Sequence, residues 1–134
     1  MFFKLVIAVD FLSDLPSNTE ELWRLYTREI FSIDYYYRKF LEAYENTYQS
    51  YYSCLLDYAE KKYVNRYLTM FTNKWQDTLK VHDLFRDSFI LQRDFFERYV
   101  KPYISQRKNV FVICSDALRF EIGHELAACL AKNR

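Results

Sequence analysis

Glycine is nearly absent from this 134-residue chain: there is one, Gly123, beside only two prolines, Pro16 and Pro102. A phosphate-cradling loop or a dinucleotide fingerprint needs several glycines at set spacings, so neither is present. Tight hairpins lean on Gly and Asn-Gly turns, which argues against an all-β fold. The cysteines, Cys54, Cys114 and Cys129, are odd in number and far apart, without a Cys-x-x-Cys pair, and the histidines are only His82 and His124. Neither a disulfide framework nor a structural zinc site follows from them; reduced, buried thiols of a cytoplasmic protein are the expectation. A dominant charge is missing too. Lys plus Arg number 19 and Asp plus Glu 18, a net charge of +1, with no long single-sign run. Such a chain offers no global attraction to nucleic acid or to an anionic membrane. The apolar N-terminus, Met1 to Leu12, carries Lys4 and Asp10. It is too short to span a bilayer and lacks a small-residue cleavage site. It reads as a core helix that begins without a cap residue, as if cut from a longer helix.

What the chain does have is aromatic side chains, 13 Tyr and 12 Phe among them. That places it far from the disordered class. Tyrosine buries its ring and leaves its hydroxyl wet, so it suits the surface of a thin helical body. After the connector 12–19, Asn18 or Thr19 can cap a helix whose first turn holds Glu20 and Glu21. Leu22, Tyr26, Ile30, Ile33, Tyr37, Phe40, Leu41 and Tyr44 then recur every three or four residues, one apolar stripe on a helix of roughly 25 residues that Asn46-Thr47 breaks. Tyr52, Leu56, Ala59, Tyr63, Tyr67 and Met70 form a second stripe, and Val64, Leu68, Phe71, Trp75 and Leu79 an adjoining row. They predict another helix, interrupted near Asn65 or Asn73, and both stripes read as core with no cofactor role. Residues 80–90 read as a short connection. Ser88 or Gln92 begins a further helical stretch through Phe95, Phe96, Tyr99 and Val100, in which Pro102 predicts a kink or an early end. Residues 105–109 are a polar connector.

The most pointed segment is Val110 to Glu121. Val110 to Cys114 is apolar on both faces and rich in β-branched and aromatic residues, the pattern of a strand in a parallel sheet. It ends on Ser115-Asp116 and turns into a helix over residues 118–132, with Leu118, Ile122, Leu126 and Leu130 spaced by four. A carboxylate just past a buried strand points into the crevice above the strand ends, where α/β enzymes place ligands. Asp116 can thus serve a divalent cation, or simply cap the helix. Ser115 is a cap or a nucleophile, and the sequence places no histidine or lysine to activate it. Arg119 can approach an anionic group, and Glu121 can pair with a base nearby; salt bridges local to the helix account for both as well. His124 reads as a lone helical histidine rather than a ligand.

Phe111-Val112-Ile113-Cys114-Ser115-Asp116-Ala117-Leu118-Arg119-Phe120-Glu121 closely resembles the opening motif of the PglZ phosphatase domain, a hydrophobic strand running into Ser-Asp-Ala-Leu-Arg-Tyr-Glu. Phe120 stands where tyrosine is frequent. Upstream, Trp23-Arg24-Leu25-Tyr26 followed by Ile33-Asp34-Tyr35-Tyr36-Tyr37-Arg38-Lys39-Phe40 is similar to the helical segment that precedes this domain. Tyr63-Val64-Asn65 with Trp75, and Gln92-Arg93-Asp94-Phe95-Phe96 with Val100, are similar too. The resemblance implies a fold of the alkaline phosphatase superfamily and a place in BREX-type bacterial phage defence, with other defence-system proteins as partners. It implies that Asp116 matches the aspartate that ligates a divalent metal, zinc first, and that Ser115 is not at the nucleophile position. The nucleophile and the other ligands of that superfamily come from later strands.

The expectation is therefore a mainly α protein. Residues 1–108 form a helical region of five or six helices, and residues 109–134 the first strand and helix of an incomplete α/β domain. No catalytic residue is expected within the chain. Asp116 is the candidate metal position, with Arg119 and Glu121 beside it, and no metal is held by the fragment, which is expected to be inactive. The orphan strand 110–114 is expected to fray, to become helical or to pair with a second copy. The alternative is a non-enzymatic helical protein–protein interaction module.

Overall fold

A computed structural model describes residues 1–81 and 90–132. Ser88 as a helix start, and nearly all of the connection expected over residues 80–90, lie outside the described residues. In chain order come α1 (Phe2–Asp10), α2 (Thr19–Leu25), a π-helical turn (Tyr26–Ile30), α3 (Phe31–Glu45), α4 (Gln49–Glu60), a longer π-helical segment (Lys61–Leu68) and α5 (Thr69–Val81). A 3-10 turn (Gln92–Asp94), a third π turn (Phe96–Val100), α6 (Lys101–Ser105) and α7 (Phe120–Lys132) follow. Residues 1–81 with 119–132 form one compact unit, and residues 90–118 another.

In the first unit α2 and α3 run on through their π turn as one rod. Asn18 caps it, its side-chain oxygen accepting from the amides of Glu20 at 2.8 Å and Glu21 at 3.2 Å. The rod ends at Glu45, ahead of Asn46-Thr47 as the stripe predicts. The second rod is α4 and α5, interrupted across Asn65 by the π segment. The core is one cluster of Leu5, Val9, Ile30, Ile33, Phe40, Ala59 and Tyr67. Helix α1 contributes Leu5 and Val9, both fully buried. Removing each from water favours folding by about 2 kcal/mol. Its C-terminal Asp10 accepts from Lys62 Nζ at 2.5 Å and Arg66 Nη1 at 2.6 Å, fixing α1 to the second rod. Between the rods, Thr19 donates to the carbonyl of buried Thr78 at 3.3 Å.

The second unit shows how a chain short of glycine ends a helix. Pro102 is the second residue of α6, directly after the π turn Phe96–Val100, and α6 stops three residues later at Ser105. Arg107 then takes φ 56°, the left-handed position that glycine usually fills. Its amide donates to the Ile104 carbonyl at 2.8 Å, and the Lys108 amide to the Tyr103 carbonyl at 3.1 Å. That pair of bonds is a Schellman ending, and it satisfies the carbonyls of the last turn.

Four expectations are corrected here. The strand over Val110 to Cys114 does not form: residues 108–115 carry no regular structure, with Phe111 90% and Ile113 92% exposed. A strand is held by its neighbours' hydrogen bonds, and no strand exists among the described residues to supply them. The final helix accordingly starts at Phe120, two residues later than its leucine spacing suggests. The alkaline-phosphatase-like sheet is likewise not formed by the described residues. The cysteines are exposed rather than buried. Cys114 lies on the uncovered segment, and Cys54 and Cys129 face outward from α4 and α7.

Truncating Leu5 should cost about 3 kcal/mol of unfolding free energy. Phe3→Ala, on the exposed side of the same helix, should stay within about 0.5 kcal/mol. Urea denaturation of the two variants checks the difference.

Candidate functional site

A cavity of about 700 Å³ opens in the first unit between the two rods and the start of α7. Its wall is mostly aromatic: Trp23, Tyr26, Tyr37, Tyr63, Tyr67, Phe71, Trp75 and Phe120, with Leu68, Thr72, Asp34, Arg119 and Glu121. Tyr37 and Tyr63 stack face to face at 3.8 Å and 5°, while Phe71 lies nearly parallel to Trp75 at 6.3 Å.

Asp34 is the polar centre. The Tyr63 hydroxyl donates to its Oδ1 at 2.8 Å, and those of Tyr26 and Tyr67 to its Oδ2 at 3.0 and 3.2 Å. All three donors come from π-helical backbone: Tyr26 opens the first π turn, and Tyr63 and Tyr67 belong to the second. Such turns are rare and concentrate at functional sites. Burial raises the Asp34 carboxyl above its ordinary value; the three hydroxyl bonds pull the other way without cancelling it, and the charge of Glu121 adds to the rise. Burial also lifts the phenols of Tyr26, Tyr63 and Tyr67 far above their ordinary range, and the Asp34 charge lifts them further. They therefore remain neutral hydrogen-bond donors.

Helix α7 is held against α3 by charge and ring contacts. Glu125 accepts from Arg38 Nη2 at 2.5 Å and pairs with Lys39 at 3.4 Å. The Phe120 ring packs 5.7 Å from Tyr26 and 5.4 Å from Phe31, and the His124 ring 4.6 Å from Phe31. Glu121 is 2% exposed and lies 3.8 Å from Arg38 Nε. Neither Glu121 Oε1 nor Arg38 Nε has a hydrogen-bond partner. The partner of Glu121 is thus on α3, not local to its own helix.

Arg119 and Glu121 come together in the cavity wall. Asp116 lies in an exposed turn after the irregular segment and belongs to the other compact unit; Ser115 before it is also exposed. Among the described residues no group of three or more His, Cys, Asp or Glu is placed to hold a metal ion. A lone exposed carboxylate does not meet a divalent cation's need for several donors. The residue missed in the sequence is Asp34. Its signal was present: Tyr26, Ile30, Asp34, Tyr37 and Leu41 share one helical face, and an acid within an apolar stripe calls for buried partners. Tyr67 belongs to the buried core and Tyr63 packs against it, as their stripe predicts, and both also line the cavity with Trp75.

The chain is similar to two curated proteins. It is 31% identical over 124 residues to the alkaline phosphatase-like protein PglZ of Bacillus cereus (strain H3081.97), covering 88% of this chain and 14% of that protein. It is 37% identical over 119 residues to the alkaline phosphatase-like protein BrxZ of Escherichia coli O9:H4 (strain HS), covering 81% of this chain and 14% of that protein. The chain thus spans 14% of the length of the curated relatives it matches. No family model matches it. No solved structure matches it either.

Asp34→Ala strands three tyrosine hydroxyls and should cost about 3 kcal/mol. Asp34→Asn keeps the shape and removes the charge. An acid whose folded pKa is raised contributes stability that is full below its unfolded value, 3.8, and lost as pH rises through the folded value. Asp34→Asn should therefore remove that loss, and thermal melts of wild type and variant from pH 3 to 7 should show the wild-type curve falling more steeply just above 3.8.

Proposed function

We propose that this chain, which belongs to the PglZ family of alkaline phosphatase-like proteins, is the helical lead-in and motif turn of a metal-dependent phosphatase-like hydrolase that serves BREX-type phage defence in the bacterial cytoplasm. The observation that carries the reading is similarity to two alkaline phosphatase-like proteins across most of this chain. The Ser-Asp-Ala-Leu-Arg-Phe-Glu motif at residues 115–121 supports it. In this reading Asp116 contributes one oxygen ligand to a divalent metal, zinc first, and the remaining ligands and the nucleophile lie outside this chain. The metal would polarise the ester being hydrolysed. The chain's own part is to carry Asp116 on the turn leading into α7 and to hold that helix on α3 through Arg38, Lys39 and Glu125. Arg119 and Glu121 are site-adjacent. No helix among the described residues is long and apolar enough to cross a membrane.

A second reading, a helical protein-binding module, has one observation in its favour. Phe3, Ile7 and Phe11, spaced by four along α1 and its end, are 77%, 55% and 82% exposed. Partners there would be other defence-system proteins.

Elemental analysis and hydrolysis of p-nitrophenyl phosphate separate the two. The whole protein should carry bound metal and hydrolyse the ester, and Asp116→Ala should lose both. The 134-residue chain alone should show neither. Full metal retention by Asp116→Ala contradicts the assignment of Asp116, and a whole protein without metal or turnover favours the binding module.

A further inference from the structure

The aromatic cavity holds an accessible guanidinium that the phosphatase reading does not use. Among the described residues, two carboxylates, Asp34 and Glu121, and two guanidiniums, Arg38 and Arg119, stand in or behind its wall, so their charges balance. Three of the four are already engaged. Glu121 is buried and faced by Arg38, which Glu125 also takes up, and Asp34 is filled by three tyrosine hydroxyls. Arg119 differs: it lines the cavity, is exposed, and its guanidinium makes no hydrogen bond or ion pair among the described residues. Its field reaches inward, favouring the ionised phenols of Tyr26 and Tyr63 against the larger opposite pull of burial and Asp34. A guanidinium is a planar fork of donors that fits a carboxylate or phosphate. The rest of the wall offers flat rings. Trp23 and Trp75 stand 6.2 Å apart, Phe71 lies nearly parallel to Trp75, and Trp23 is 42% exposed. Such faces favour an aromatic partner beyond the area it buries. The volume, about 700 Å³, is that of a small-molecule site.

We propose that this cavity binds a planar aromatic acid, its ring lying against Trp23, Phe71 and Trp75 and its anionic group paired with Arg119. Such binding needs neither a metal nor Asp116, so its absence would leave the phosphatase reading untouched.

Both tryptophans of the chain, Trp23 and Trp75, line the cavity, so their indole N–H signals report on it directly. Proton–nitrogen NMR spectra of the 134-residue chain at pH 7 are recorded during titration with naphthalene-2-carboxylate. Naphthalene-2-methanol is its neutral counterpart and decahydronaphthalene-2-carboxylate its saturated one. The expected result is saturable movement of both indole signals, with the aromatic acid about tenfold tighter than the alcohol and several-fold tighter than the saturated acid. Arg119→Gln should weaken the aromatic acid about tenfold and leave the alcohol within about twofold. Arg119→Lys, which keeps the charge and loses the fork, should fall between wild type and Arg119→Gln. No saturable movement, an aromatic acid no tighter than the alcohol or the saturated acid, or unchanged binding of the acid by Arg119→Gln overturns the proposal. If Arg119→Gln does not fold, the order of the three ligands on the wild-type chain decides alone.

Discussion

A carboxylate taken out of water must be given donors, and Asp34 is given three tyrosine hydroxyls from both long rods. Tyr26 belongs to the same rod as Asp34, while Tyr63 and Tyr67 reach across from the other. The cluster therefore fixes the register of one rod against the other, which apolar contact alone leaves loosely specified. Every neighbouring feature is arranged around it. The π turns present the tyrosines, Tyr37 stacks on Tyr63, and Phe120 of α7 packs on Tyr26. Asp34 and its three tyrosines all line the cavity.

Helix α7 is the link between this helical body and the motif that precedes it. Arg38 and Lys39, next to each other on α3, take up Glu125, and Arg38 also faces Glu121. Lys39–Glu125 and Arg38–Glu125 are partly solvent-screened and individually weak. Glu121 is different: nearly fully buried, it makes the placement of α7 sensitive to one residue. Residues of the sequence motif thus serve a packing role that their position beside Asp116 does not announce.

Helix positions were legible in the sequence because they depend on local spacing. The stripe from Leu22 to Tyr44 marked the first rod, Asn46-Thr47 its end, and Asn18 or Thr19 its cap, of which the structure selects Asn18. An interruption was expected near Asn65 or Asn73 and falls across Asn65; its π geometry was not visible, since a widened turn leaves no composition of its own. The strand pattern over Val110 to Cys114 does not form a strand, and of the outcomes expected for an unpaired strand the frayed one is observed. Its residues prefer extended backbone, but a strand depends on neighbours, and the described residues offer none. Exposed Cys54, Cys114 and Cys129 follow the same logic, since burial depends on what the rest of the fold covers. Asp34 was readable as an acid in an apolar stripe, yet the identity of its partners required knowing which faces meet. Glu121 was assigned a basic partner, and only the packing of α7 on α3 shows it to be Arg38.

The account rests most directly on the state of the Asp34 carboxyl, which a carbon-13 NMR titration of that side chain measures. The midpoint should lie above 3.8, because burial outweighs the hydroxyl bonds, and should rise further in Tyr63→Phe, which removes the shortest of them. A midpoint at or below 3.8, or one that Tyr63→Phe leaves unmoved, would contradict it.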